Sequence, residues 1–321
     1  MKFRQAGRSL VVAVVALIGL AFVQAQEEDW PRFVSIGTAS PAGAYYPLGV
    51  AMADLWNRNI EGVRFSSQET GGSVANMNML ESGDIEIGIA NENIAWNATE
   101  GNEPFSHPID VNLGWTLNKS MGLFVAPRSS GLETVEDLRG KRVSLGTPGS
   151  SANVLGARVL ESQGLAEGDY EAVYMGWQES ADAMNDGFVD AAFFVGGQPF
   201  PAIESLAVRT PINVLDFDAQ KLRELPGFPL STGTIPADMY DTESDATAVQ
   251  VRSINYVDPE LPADLVYEMV KVVFDNLDAL AAAHSTGDQA ELLSPEDAEA
   301  LGIEVHPGVV RYAQEVGAWA D

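Results

Sequence analysis

Three stretches rich in Gly, Ser and Thr carry the chemistry legible in this chain. They are GTASPAGAYYPLG at 37–49, QETGGSVANMNML at 68–80 and SLGTPGSSANVLGARVL at 144–160. Each stands where an apolar, strand-like run gives way to a helical pattern. A helix start leaves backbone N–H groups unpaired and carries a partial positive charge. Gly lets the main chain approach a ligand closely, and Ser or Thr adds a hydroxyl. Such a loop can hold an anion without Lys or Arg, and no Lys or Arg falls between Gly and helix start in any of the three. Ser73 and Ser151 also read as ordinary N-caps. Three loops of one design, in two sequence blocks, favour a shared ligand over three coincidental caps.

Other chemistries lack their residues. GTPGSS has no Lys-Ser/Thr after its last Gly, and Gly-x-Gly-x-x-Gly is absent, so neither phosphate-binding fingerprint is met. Gly-x-Ser-x-Gly is missing, and the three histidines, His107, His284 and His306, lie far apart. That leaves a serine hydrolase without a recognisable base and gives no zinc spacing. With no cysteine there is neither thiol catalysis nor a disulfide. Asp241, Glu243 and Asp245 form an acidic turn without the Gly and spacing of a calcium loop. The reading is therefore a binding protein, not an enzyme, with no cofactor and no metal.

The elements that position these loops alternate. Strands are expected over 32–36, 63–67 and 85–90, with helices over 45–57 and 73–81 between them. The pattern restarts with a strand at 121–126, a short helix ending at Gly140, a strand at 142–145 and a helix at 151–163. Strands at 170–175 and 191–195 follow, with helices at 180–186 and 201–206, and the chain returns towards a strand over 208–215. The last third holds a long strand, ATAVQVRSINYV, one long amphipathic helix from Pro262 to His284, and a short helix after His306-Pro307-Gly308. Strand–helix alternation predicts α/β sheets whose ligand loops leave the carboxyl ends of the strands.

The first 25 residues read as a cleaved secretory leader. Lys2, Arg4 and Arg8 precede an apolar run from Leu10 to Val23, and small residues end at Ala25. At 14 residues that run is short for a bilayer span. The expectation is a periplasmic protein without a stable membrane anchor. Its net charge of −28 disfavours nucleic acid and anionic membranes as partners.

Taken together, IGTASPAGAYYPLG, TGGSVANMNMLESGDIEIGIA, GTPGSSANVLGARVLESQGL, ADAMNDGFVDAAFFVGGQPFPAIESLA and VHPGVVRYAQEVG resemble, in this order, the TAXI family. These are solute-binding proteins of tripartite ATP-independent periplasmic (TRAP) transporters. The resemblance spans about 33–317, and Gly-x-Tyr-Tyr-Pro-x-Gly at 43–49 with the late His-Pro-Gly is its most specific part. It implies a type II periplasmic-binding-protein fold: two α/β lobes, an interlobe cleft and two crossover hinge strands. Lobe I would be 26–121 plus 231–321, and lobe II 122–230. It further implies a small carboxylate ligand (glutamate, 2-oxoglutarate or a similar dicarboxylate), lobe closure, and delivery to TRAP membrane permease subunits. A sensory module feeding a membrane receptor would use the same pocket.

Carried onto this chain, the resemblance places Thr38, Ser40, Gly43 and Tyr45 of the first loop at the ligand. Thr70, Ser73 and Asn76 come from the second loop, and Asn91 and Asn93 from the next strand end. The second block supplies Thr147, Ser150 and Ser151, with Gln198 and Pro199 last. The chain departs from the family at Ser151-Ala152, where Gly-Thr is usual, and at Asn91-Glu92-Asn93, where a Gln-Ser-Asp type is usual. Several of these residues carry a second reading. Of Tyr45 and Tyr46, one packs inward and one faces the cleft. Gln198 contacts ligand or holds a hinge turn, Asn91 and Asn93 bind or cap, and Trp177 walls the cleft or fills the core. His306 reads as structural.

Overall fold

The computed structural model describes residues 30–320; the leader expected at 1–25 lies outside them. The first block runs β1 (Phe33–Gly37), α1 (Tyr45–Asn59), β2 (Arg64–Gln68), α2 (Ser73–Ser82), β3 (Ile87–Asn91) and α3 (Glu92–Glu100). A sixteen-residue strand, β4 (Asn112–Pro127), leads to the second block. That block comprises β5 (Arg142–Ser144), α4 (Ser151–Ser162), β6 (Glu171–Val173), α5 (Trp177–Asn185), β7 (Ala191–Gly196), α6 (Pro201–Arg209), β8 (Ile212–Leu215) and α7 (Ala219–Glu224). The chain returns through β9 (Ser231–Ile235) and the long β10 (Ala246–Val257). It ends in α8 (Ala263–Phe274), α9 (Leu277–Ala283), α10 (Pro295–Leu301) and α11 (Pro307–Glu315).

The strands pair in the order β2-β1-β3-β10-β4-β7-β5-β6, with β8 on β4 and β9 on β10. Each end of this series is parallel, β2-β1-β3 on one side and β7-β5-β6 on the other. The two ends meet through β10 and β4, antiparallel from Val257↔Asn112 to Val249↔Gly122. Two α/β layers are thus joined by a pair of long strands. Helices cover both faces of each end, as parallel strands buried on two sides require. In the first block α1 lays Leu48, Met52, Leu55 and Trp56 on the sheet, and α8 adds Leu265, Met269 and Val273. In the second, α4 buries Leu155, Val159 and Leu160 on one face, while α6 buries Ile203 and Leu206 on the other. Among the described residues no helix is long and apolar enough to cross a membrane.

The structure corrects the sequence expectations in several places. The strand expected at 121–126 is only the end of β4, whose earlier part carries Asn112, Asn118 and Ser120, all buried. Helix α3 follows β3 without a loop and was not anticipated, nor was α7. The short helix before Gly140 is a 3-10 turn at Val135–Leu138. Helix α5 begins at Trp177 rather than 180, and residues 208–209 complete α6 instead of opening a strand. The long helix after Pro262 is two, broken where Asn276 leaves helical geometry and its side chain bonds back to the Val272 carbonyl at 2.8 Å.

Candidate functional site

Four helix starts meet around one cavity of about 260 Å³. Tyr45 opens α1, Ser73 opens α2, Ser151 opens α4 and Trp177 opens α5, and all four line it. The first two belong to one parallel end of the sheet and the last two to the other. Each helix follows a strand of the parallel part (β1, β2, β5 and β6), so the loops emerge at carboxyl ends and face each other across the seam. The fourth start, α5, was missed because Tyr174-Met175-Gly176 lacks the Gly/Ser/Thr signature of the other three.

The loops are shaped by local hydrogen bonds. Gly43 N–H donates to the Ser40 carbonyl at 3.1 Å, and Ala42 N–H to Ser40 Oγ at 3.3 Å, which folds the chain tightly before α1. Ser150 Oγ donates to the Thr147 carbonyl at 2.7 Å, closing the turn before α4. The hydroxyls of Thr147 and Ser151 have no partner among the described residues, so both stay free for a ligand.

One expected donor set is engaged elsewhere. The N–H groups of Val74 and Ala75, in the first turn of α2, both donate to the Gly149 carbonyl across the seam, at 3.1 and 3.2 Å. Helix α2 therefore clasps the opposite block rather than offering these amides to a ligand. A Cβ on Gly71 would lie 3.3 Å from the Pro148 carbonyl oxygen, and one on Gly72 would lie 3.6 Å from Ser150 Cα. Gly71 thus packs tightly against the facing loop, and Gly72 adopts a φ of +103° that favours glycine.

Beneath the cavity lies a directed hydroxyl network. Tyr45 Oη donates to Ser253 Oγ at 2.9 Å, and Asn91 Nδ2 donates to the same oxygen at 3.2 Å. With both lone pairs occupied, Ser253 gives its own proton to Ser120 Oγ, 2.8 Å away. Burial pushes the Tyr45 phenol up to about 12, so it is a neutral donor at ordinary pH. Ser253 lies on β10 and Ser120 on β4, which ties the cavity to the two long connecting strands. Nothing local in the sequence marks either serine.

Of the residues assigned at the sequence level, Ser40, Gly43, Tyr45, Thr70, Ser73, Asn91, Thr147, Ser150 and Ser151 line the cavity. Five do not. Thr38 is fully buried and donates to the Gln68 carbonyl at 2.6 Å. Asn76 ties β1 to β3, its Nδ2 donating to the carbonyls of Thr38 and Ile89, each at 2.7 Å. Asn93 faces a different cavity. Gln198 bonds to Tyr240 and donates to the Met121 carbonyl at 3.3 Å, in a crevice beside Lys119. Pro199 is not part of the lining. Polar residues near a cleft serve as internal braces when a buried carbonyl needs a partner, and these spacings do not separate the two roles. Trp177, open between wall and core, does both: it lines the cavity and packs edge-on against Phe200 at 4.9 Å.

Among the described residues no Lys or Arg lines this cavity, and the one charged residue in its lining is the exposed Glu69. The cations on neighbouring elements lie outside its lining. Arg64 and Lys119 are exposed, Arg128 bonds to the Ile212 and Asp241 carbonyls, and Arg158 bonds to the Pro226 carbonyl. His306 is structural: its Nδ1 accepts from Gly308 N–H at 3.2 Å, capping α11, and its Nε2 donates to the Leu261 carbonyl at 3.1 Å. Burial holds its pKa below the ordinary value.

Two α/β lobes, a pair of long strands between them and a cavity in the seam define the periplasmic-binding-protein fold. The solved structure of PhnD1 from Prochlorococcus marinus with methylphosphonate shares it, at 10% identity and a TM-score of 0.57 over 90% of this chain and all of the other. XAC2383 from Xanthomonas citri bound to ATP matches at 13% identity and a TM-score of 0.56, over 89% of this chain and 100% of that one. The alkanesulfonate-binding protein SsuA from Xanthomonas axonopodis pv. citri bound to MOPS covers 85% of this chain and 90% of its own, at 16% identity and a TM-score of 0.49. The NMT1-like family model matches residues 36–317, and the chain belongs to that family.

Proposed function

We propose that this protein is an extracytoplasmic solute-binding protein of a TAXI-type TRAP transporter. It captures a small carboxylate between its lobes and delivers it to a membrane permease driven by an ion gradient. Residues 26–121 with 231–321 act as one closing body and 122–230 as the other, flexing on β4 and β10. Glutamate, 2-oxoglutarate and similar dicarboxylates are the proposed ligands. The observation that carries this reading is the convergence of helix starts from both lobes on one cavity that holds hydroxyls and no cation. Such a site neutralises an anion by fixed dipoles. Serine here binds rather than attacks, since no histidine lines the cavity.

The fold neighbour PhnD1, solved with methylphosphonate, favours a second reading in which the oxyanion is a phosphonate. A thermal-shift panel separates the two. A ligand at one hundred times its Kd adds about 2.7 kcal/mol of stability, which raises the midpoint by roughly 4 °C for a chain of about 300 residues at about 2.1 cal/mol/K of unfolding entropy each. Shifts with glutamate or 2-oxoglutarate support the carboxylate reading. Shifts with methylphosphonate alone replace it, and silence from every oxyanion removes the binding function proposed for this cavity.

A further inference from the structure

A second cavity, of about 400 Å³, lies along the same seam, and its chemistry differs from that of the first. One wall comes from α3 and the turn after it, with Asn93, Trp96, Asn97, Asn102 and Glu103. The other comes from α4 and the 226–230 segment, with Val154, Arg158, Phe228 and Leu230. Trp96 and Phe228 meet across the seam with ring centroids 6.0 Å apart, forming an aromatic wall.

Two features mark this cavity as built for a ligand. Asn93 is 3% exposed, its Oδ1 has no partner, and its side chain makes no hydrogen bond among the described residues. A buried amide without partners is uncommon in a folded protein, and this one lines the cavity. Arg158 is held in place by the Pro226 carbonyl and by Gly227, whose φ of +105° wraps the chain around the guanidinium. A Cβ on Gly227 would stand 3.3 Å from Arg158 Nη2. Nε and Nη1 of Arg158 have no protein acceptor, so one edge of the guanidinium fork stays open to a carboxylate.

We infer that this cavity is a second ligand site, taking a small aromatic carboxylate. Its ring stacks on Trp96 and Phe228, its carboxylate accepts from Arg158, and Asn93 Nδ2 donates a further hydrogen bond to it. Glu103, exposed at the rim, discourages a dianion. Because the walls belong to different lobes, occupancy stabilises the closed arrangement and tightens the first cavity by reciprocal coupling.

Phenylacetate is the probe, titrated by tryptophan fluorescence and by calorimetry. Acetate serves as the ring-free control and phenethylamine as the charge-inverted one. The expected result is saturable binding of phenylacetate but of neither control. Affinity should fall tenfold or more in Trp96→Ala and Arg158→Gln, and partly recover in Arg158→Lys, with melting midpoints showing that each variant folds. Glutamate added in excess should not displace phenylacetate. No saturable binding to the wild type overturns the inference. So does binding that ignores both substitutions, preference for phenethylamine, or displacement by glutamate. Failure here leaves the first cavity's thermal-shift result unaffected, so the two readings fall separately.

Discussion

Gly43 is where the seam between the lobes can be tested with one atom. It sits in the loop before α1, buried, with a backbone conformation open to any L-residue. A Cβ there would meet Trp177 first, at 2.6 Å from Cζ3 and 3.3 Å from Cη2. Carbon atoms pack at about 3.5–4.0 Å, so the ring must retreat by roughly 1 Å. It cannot do so freely, because Phe200 backs it edge-on. Overpacking of this kind costs about 1–3 kcal/mol. Since Trp177 belongs to the opposite lobe, the cost falls on the closed arrangement rather than on either lobe's fold. Gly43→Ala should therefore weaken ligand binding by about 5- to 150-fold, at tenfold per 1.4 kcal/mol. The ligand-free melting midpoint should stay within a few degrees. Calorimetry with the strongest ligand from the thermal-shift panel measures the first, and small-angle scattering with and without that ligand measures closure. The decisive comparison is a double-mutant cycle with Trp177→Phe, whose shorter ring vacates the space. If Gly43→Ala costs the same in both backgrounds, the wedge account is wrong.

Arg252 pairs with Glu92 and Asp297, each at 2.6 Å, and Glu92 is buried. Arg252→Gln strands that carboxylate and should lower stability by about 3 kcal/mol in urea unfolding; a loss below about 1 kcal/mol would show the pair to be idle. Burial depresses the pKa of His306, so the unfolded chain takes up its proton first as pH falls. The stability His306 supports is complete above the unfolded value of about 6.5 and drains away below it. His306→Asn keeps a cap for α11 and should flatten the fall in urea midpoint between pH 7.5 and 5.5, leaving the share due to His284, whose pKa is also lowered by burial. Ser151→Ala should weaken ligand binding by about 1–2 kcal/mol, whereas Ser150→Ala, which removes a bond to the Thr147 carbonyl, should act mainly on the melting midpoint; equal effects on affinity would collapse that distinction. Glu69→Gln should tighten 2-oxoglutarate by up to about fivefold, the Coulomb energy of one charge near 4 Å in water being about 1 kcal/mol, and weaker binding would show that Glu69 takes part in the grip.

The three Gly/Ser/Thr loops were legible because a strand-to-helix junction is a local event, set by residues within a few positions of one another. The same locality explains what escaped. Asn91 ends β3 and Glu92 begins α3 with no intervening turn, so no breaker announced the helix. The first nine residues of β4 hold Gly114, Asn118 and Ser120, which interrupt the apolar pattern. They are tolerated because β10 pairs along the full length, with register shifts at Ile254. Ser253 reaches Tyr45 across 208 positions, and no spacing rule connects them. The resemblance assigns Thr38 and Asn76 to the ligand, whereas their side chains bond to the backbone carbonyls of Gln68, Thr38 and Ile89, a role that no local spacing announces. Trp177 was undecided at the sequence level because the wall it forms depends on Gly43 from the other lobe.

A net charge of −28 looks at odds with the anion proposed for the cavity until the distances are compared. At physiological ionic strength exposed charges are screened beyond about 8 Å, so most of the surface acidity does not reach a cavity in the seam. What acts there is close and oriented. Helices α1 and α4 present their starts, each equivalent to about half a positive charge, while the α2 amides are taken by Gly149 and the α5 start is offset by Glu179, which accepts from Gly176 N–H at 3.4 Å. Two half-charges, opposed only by the solvent-exposed and screened Glu69, leave a weakly positive local field that suits one carboxylate. The clasp from α2 and the contact of Trp177 on Gly43 exist only when the lobes are together. The proposed closure would complete the site in the same movement that removes water from it, and removing water is what makes neutral dipoles strong enough to hold a charge.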